Sequence, residues 1–208
     1  MMVPVNTKHH RARPLPPAER QRAIVDAIIP LLLDKGSAVT TQQMAQAAGI
    51  AEGTIFRVFP DKPSVIREAV RTSMDPAPVC QALADIPDSA SMESQLEAAA
   101  TVLLEHSQRV AALVGVLRSA ATSAAGHPAG IPQFVRKSNA AILDELTKLL
   151  GRHADRLRVP AVRAAIAFRG LIFANAHPMV TPGEKTTPQE IADLLLCGVM
   201  TTETSSPC

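Results

Sequence analysis

The chain has no Trp and no Tyr and only five Phe, yet 47% of its 208 residues are hydrophobic. Its interior must therefore be filled by Ala, Leu, Val and Ile. Such side chains suit helices that approach one another closely, whereas sheet packing draws on aromatic and β-branched pairs. The expectation is an all-α protein with enough apolar surface for a real core. At this length the core is one large domain or two small ones sharing a boundary.

Charge is distributed unevenly. Up to Arg71 there are ten Lys/Arg against six Asp/Glu, and beyond it eleven against thirteen, within a net charge of +2. A basic front on a near-neutral body suits a protein that offers one end to a polyanion. Cys80, Cys197 and Cys208 are odd in number and form no CxxC, which points to a reducing compartment. No stretch approaches the roughly 20 apolar residues of a membrane span, and the start MMVPVNTKHHRARPLPP has no apolar core of a secretion signal. The expectation is a soluble, cytoplasmic protein with no membrane contact.

Residues 1–17 read as a disordered basic arm carrying Lys8, Arg11 and Arg13 among prolines. From Ala18 the apolar residues Ile24, Ala27, Ile28, Leu31 and Leu32 fall at helical spacing until Lys35-Gly36, a cation followed by a left-handed glycine. Pro30 lies inside that pattern and is expected to kink the helix. Thr40 and Gln43 have capping-box spacing, Gly49 ends the short helix that follows, and Asp61 caps another. Pro76, Pro78 and Pro87 mark a connector. Apolar helical runs then cover about 91–107, 108–124, 133–151, 160–177 and 188–200, with the breaker 126–132 among those separating them. No punctuation marks the boundary between 107 and 108. The expected organisation is an arm at 1–17, a unit at 18–72, a larger helical domain at 73–203 and a flexible tail at 204–208.

Residues 40–62 read TTQQMAQAAGIAEGTIFRVFPDK. Ala45 and Ala48 are small where two helices must cross closely, and Gly49 supplies a positive φ for the turn. Met44, Ile50, Ile55 and Phe59 bury together against Ile24, Ile28 and Leu31. The second short helix then presents Glu52, Gly53, Thr54 and Arg57 outward. Helix N-termini and threonine hydroxyls suit phosphate oxygens, and a recognition helix carries few but well-placed side chains.

This stretch closely resembles the helix-turn-helix signature of the tetracycline-repressor (TetR) family. The match comprises Thr40, Thr41, Met44, Ala45, Ala48, Gly49, Ile50, Gly53, Thr54, Ile55, Phe59 and Lys62. The resemblance covers about residues 18–70 by motif. It implies a three-helix DNA-binding domain followed by a larger helical domain that binds a ligand and dimerises. It further implies phosphate contacts from Thr40, Thr41, Thr54 and Lys62, base or phosphate contacts from Glu52 and Arg57, and reach to the DNA backbone from Gln42 and Gln43. For Gln43, capping its own helix is an equal alternative. Ala51, Phe56 and Val58 stand where the family pattern has Ser, Tyr and His. Those changes remove an N-cap and two polar groups, which weakens DNA binding unless Arg57 and the basic residues Arg11, Arg13, Arg20 and Arg22 compensate.

The same resemblance places the dimer interface in the last two helices, at Ala164, Phe168, Leu171, Ile172, Leu194 and Leu195, with intramolecular packing as the alternative. An effector cavity is expected between the helices of 91–151, with aliphatic candidates Leu103, Leu113 and Leu117 and, beside them, Phe134. Arg118, inside the apolar run AALVGVLRSAA, would meet an acidic effector, or else snorkel to solvent. His106, His127, His153 and His177 lack metal-ligand spacing, so no metal and no cofactor is expected.

The function these features imply is a transcriptional repressor. As a homodimer it holds a pseudo-palindromic double-stranded operator, and a small, largely apolar effector releases it. Two other classes stand beside it. One is a TetR-like ligand or partner module without DNA binding. The other is an all-α enzyme, against which stands the lack of any nucleophile elbow, phosphate loop, paired zinc ligands or dinucleotide fingerprint.

Overall fold

The computed structural model describes residues 16–121, 131–177, 183 and 185–199. The arm at 1–15, the breaker 126–130 with His127, and the tail lie outside these. Among the described residues there are nine α-helices and the chain is all-α: α1 (Pro17–Lys35), α2 (Thr41–Ala47), α3 (Glu52–Val58), α4 (Lys62–Ser73), α5 (Ala77–Ala84), α6 (Met92–Ala121), α7 (Ile131–Gly151), α8 (Ala161–Ala176) and α9 (Pro188–Val199).

Several helix ends follow from local chemistry. Helix α1 begins at Pro17, where a proline loses no hydrogen bond. It runs on through Pro30, on its exposed side, and stops at Gly36. Gly36 has φ +60° but ψ −142°, so it takes a glycine-favouring conformation rather than the left-handed helical one expected. The connector after α4 is itself helical. Pro78 falls in the first turn of α5, where its ring is tolerated. Residues 91–121, expected as two helices, form one. With no glycine turn or proline near 107, nothing interrupts α6, whose 30 residues span about 45 Å.

Two apolar cores result. The amino-terminal one gathers Ile24, Val25, Ile28 and Leu32 of α1, Met44 and Ala45 of α2, Ile55 of α3, and Val65, Ile66, Ala69 and Val70 of α4. Leu113, Val116 and Leu117, from the last turns of α6, complete it. The second core joins α5 and the first half of α6 to α7, α8 and α9 through residues such as Leu96, Leu103, Leu146, Phe168 and Leu195. Helix α6 therefore belongs to both.

Those cores correct several expectations. Ala164, Phe168, Ile172 and Leu195, expected at a dimer seam, are buried inside the protomer, Phe168 completely, and leave no surface for a partner. The small residues of α8 serve close packing within the chain. Leu171 is half-buried against the same core, while Leu194 is 58% exposed. Leu113 and Leu117 are committed to the amino-terminal core, so neither lines a cavity. No helix among the described residues is long and apolar enough to cross a membrane.

Candidate functional site

The segment 40–62 folds as two short helices and a turn, each piece held by its own caps. Thr40 accepts from the Gln43 amide at 3.2 Å, and the Gln43 side chain accepts from the Thr40 amide at 3.1 Å, closing the capping box. Gln43 thus caps its own helix. At the other end Gly49 has φ +65°, and the Ile50 amide donates to the Ala45 carbonyl at 3.0 Å while that of Gly49 donates to Gln46 at 3.1 Å. This paired closure is the Schellman arrangement, which requires the left-handed residue that glycine supplies most readily. It turns the chain so that Ile55 of α3 and Met44 of α2 share one core.

The remaining residues expected at DNA divide by what they touch. Gln42, Glu52, Gly53 and Arg57 are exposed, as is Thr40; Thr41 and Thr54 are half-buried. Thr41 Oγ1 donates to a Glu52 carboxylate oxygen, tying the start of α2 to the start of α3. Lys62, expected on a phosphate, instead donates from Nζ to the Ser37 carbonyl at 2.7 Å in a half-buried position. It holds the start of α4 against the turn after α1. Asp61 accepts from the Ser64 amide at 2.7 Å, and its bonds to Ser64 hold its carboxyl below the usual carboxylate range. Phe56 is exposed and Val58 packs on the core, so the two departures from the family pattern have different fates. Ala51 gives no side-chain cap to α3. Arg22 of α1 is engaged with Asp75 at 3.2 Å, so its guanidinium fastens α1 to the end of α4.

A cavity of about 460 Å³ lies between α6, α7 and α8, bordered by Met74 at the end of α4. This size suits a small organic molecule. Its apolar wall includes Leu103, Val110, Val114, Ile142, Ile172 and Phe173, and its polar groups include His106, Arg118, Asn139, Arg169 and His177. Leu103 and Arg118 both line this cavity, Arg118 from an exposed position. Phe134 does not. It sits outside this cavity, 41% exposed, with the Arg71 guanidinium 5.4 Å from its ring centre. Sequence reasoning missed the contribution of α8 and the histidines. The signal was available: Arg169 interrupts the apolar run AAIAFRGLIFANA just as Arg118 interrupts its own.

Electrostatics set the cavity's character. Burial, then the nearby guanidinium groups of Arg109 and Arg169, hold the His106 imidazole below its ordinary pKa and favour its neutral form. Burial also lowers the pKa of Arg169. The His177 ring lies 5.4 Å from that of Phe173, and its buried Nδ1 has no hydrogen-bond partner among the described residues. Such an orphan costs about 1–3 kcal/mol until something satisfies it. Among the described residues no group of three or more His, Cys, Asp or Glu is arranged to hold a metal.

No family model and no curated protein sequence matches the chain. Solved structures do. A protein of Mesorhizobium loti assigned to the TetR family of transcriptional regulators aligns with TM-score 0.62 at 15% identity, over 90% of this chain and 100% of its own. The TetR transcriptional regulator SCO0520 of Streptomyces coelicolor aligns with TM-score 0.57 at 21% identity, over 88% and 99%. A TetR-family regulator of Agrobacterium tumefaciens aligns with TM-score 0.59 at 19% identity, over 89% and 100%. With the helix-turn-helix at one end and the helical, cavity-bearing body behind it, this chain has the fold of the TetR-family transcriptional regulators.

Proposed function

We propose that the protein is a DNA-binding transcriptional regulator, acting as a repressor that a small-molecule effector releases from its operator. The observation that carries this reading is the presentation of α3. Following the turn at Gly49, which closes α2, α3 offers Glu52, Gly53 and Arg57 to solvent while its other side, through Ile55, is locked into the amino-terminal core. A stable bundle alone has no use for such a helix; a major groove does. Residues 18–72 are the DNA-reading unit, with Thr40, Thr41, Gln42, Glu52, Gly53, Thr54 and Arg57 at the DNA face and Lys62 setting their orientation.

The active species is a homodimer. Its seam uses the exposed apolar side chains Val162, Ile166 and Phe173 of α8 and Leu194 of α9. The first three recur at helical spacing, and apolar side chains of this size left in water favour a partner surface. A two-fold axis then demands a pseudo-palindromic operator with half-sites roughly 34 Å apart or somewhat more.

Release follows from the sharing of α6. Val110 and Val114 face the cavity, and Leu113, Val116 and Leu117 on the same turns pack into the reader's core. A ligand that prefers one position of α6 biases the setting of α3.

The test is a gel shift on duplex from upstream of the protein's own coding sequence. Binding should fall steeply with salt, because phosphate contacts release counterions. An effector with a coupling of about 1–3 kcal/mol should weaken it about 5- to 150-fold. Equal binding to scrambled duplex at physiological salt overturns the reading.

A further inference from the structure

We propose that the cavity between α6, α7 and α8 binds an apolar-bodied carboxylic acid, with Arg169 and Arg118 receiving the carboxylate and Val110, Val114, Ile142 and Ile172 enclosing the hydrocarbon. This deepens the reading of the cavity as an effector site and rests on it.

The first ground is charge without a counterpart. Two guanidinium groups line the cavity, and none of its described lining residues is Asp or Glu. Arg169 is half-buried, and its side-chain partner among the described residues is uncharged: Nη1 donates to the Asn139 carbonyl at 2.7 Å and Nη2 to Asn139 Oδ1 at 2.6 Å. A guanidinium carries five N–H donors in a fixed fork, so Asn139 orients the fork and leaves donors unspent. A desolvated cation of this kind favours an anion, and a carboxylate matches its planar geometry. The second ground is the apolar wall. A bare inorganic anion would leave it unfilled, and a wholly apolar molecule would leave the guanidinium groups uncompensated. The third ground is His177, whose buried Nδ1 lacks a partner among the described residues. A ligand oxygen in the cavity would supply one.

Octanoate and phenylbutyrate, each paired with its neutral amide, test the proposal by calorimetric titration into the full-length protein without DNA. Each acid should bind at least about tenfold more tightly than its amide, a gap of about 1.4 kcal/mol. Arg169→Gln should shrink that preference, weakening the acid more than the amide. Arg118→Gln, at an exposed position, provides the same comparison should loss of the Arg169–Asn139 bonds destabilise the fold. A second readout is the imidazole titration of His106 by NMR. The charged groups acting on His106 are Arg109 of its own helix and Arg169 of α8, and the cavity wall it shares also carries Arg118, His177 and the uncharged Ser138 and Asn139. A bound carboxylate offsets those cations, so its pKa should rise with the acid and stay put with the amide. Equal binding of acid and amide, no binding of either acid, or an acid preference untouched by both substitutions overturns the proposal. An acid that binds with the expected preference but leaves operator affinity unchanged supports the anion site and removes the reading of that site as the one that releases DNA. The converse, release of DNA by a neutral ligand alone, removes the anion site.

Discussion

Lys62 and Arg57 lie five residues apart in the segment 40–62 and differ in what holds them. Lys62 is spent on the Ser37 carbonyl, whereas Arg57 is exposed at the end of α3. Lys62→Ala should therefore act first on stability, by about 1.5–3 kcal/mol for a lost charged hydrogen bond, seen as a lower urea midpoint with unchanged slope. Arg57→Ala should leave stability within about 0.5 kcal/mol. It should instead cost about 1–3 kcal/mol in operator affinity if the side chain reaches a base edge, and less on mismatched sites. If Lys62→Ala leaves stability intact and flattens the salt dependence of binding, the lysine is a phosphate contact after all. Gln43 illustrates the same point. Its spacing from Thr40 allowed either a cap or a DNA contact, and the folded helix uses it as the cap.

At the scale of the element, two glycines of the helix-turn-helix carry different duties. Gly49 sits at φ +65°, whereas Gly53 lies in the first turn of α3 with open space where an added methyl group would point. Gly49→Ala should cost about 1–2 kcal/mol from left-handed strain alone. Gly53→Ala should stabilise the free protein by about 0.5–1 kcal/mol, yet weaken operator binding if the backbone of α3 approaches DNA closely. Thermal melts with and without operator separate the two effects; a Gly53→Ala protein that melts higher and binds equally well removes α3 from the groove. The carboxy-terminal helices offer a matching contrast. Leu195 is 2% exposed and Leu194 58%. Leu195→Glu buries a carboxylate in the second core and should unfold it. Leu194→Glu should leave a folded protein that sediments as a monomer. A dimeric Leu194→Glu protein would move the seam away from α9.

For the whole molecule, α6 is the decisive element, because its first half packs in one core and its last turns in the other. Leu117→Ala, at a site 9% exposed, should cost about 2–5 kcal/mol. The loss should be felt in the amino-terminal unit although the residue lies beyond the expected boundary at 72. Amide exchange would show it: protection should drop across α1 and α4. Exchange that changes only in α7–α9 would mean the two cores are less coupled than their shared helix implies.

Local codes were legible in the sequence because each is written within a few residues. The capping box of Thr40 and Gln43, the positive φ of Gly49, the Asp61 cap and the inward set of Met44, Ile55 and Phe59 need only helical geometry. The all-α class likewise follows from what fills the interior. Tertiary structure alone decided which of several apolar faces each helix would bury. Helix α8 is apolar nearly all round, so its sequence does not say whether Phe168 or Phe173 turns inward; contact with α6, α7 and α9 buries Phe168 and leaves Phe173 60% exposed. Leu117 and Arg118 are neighbours in the chain, and only the rotation of α6 between two cores sends one into the amino-terminal core and the other to the cavity. Helical periodicity supplies the faces, but which face meets which neighbour depends on contacts far apart in sequence.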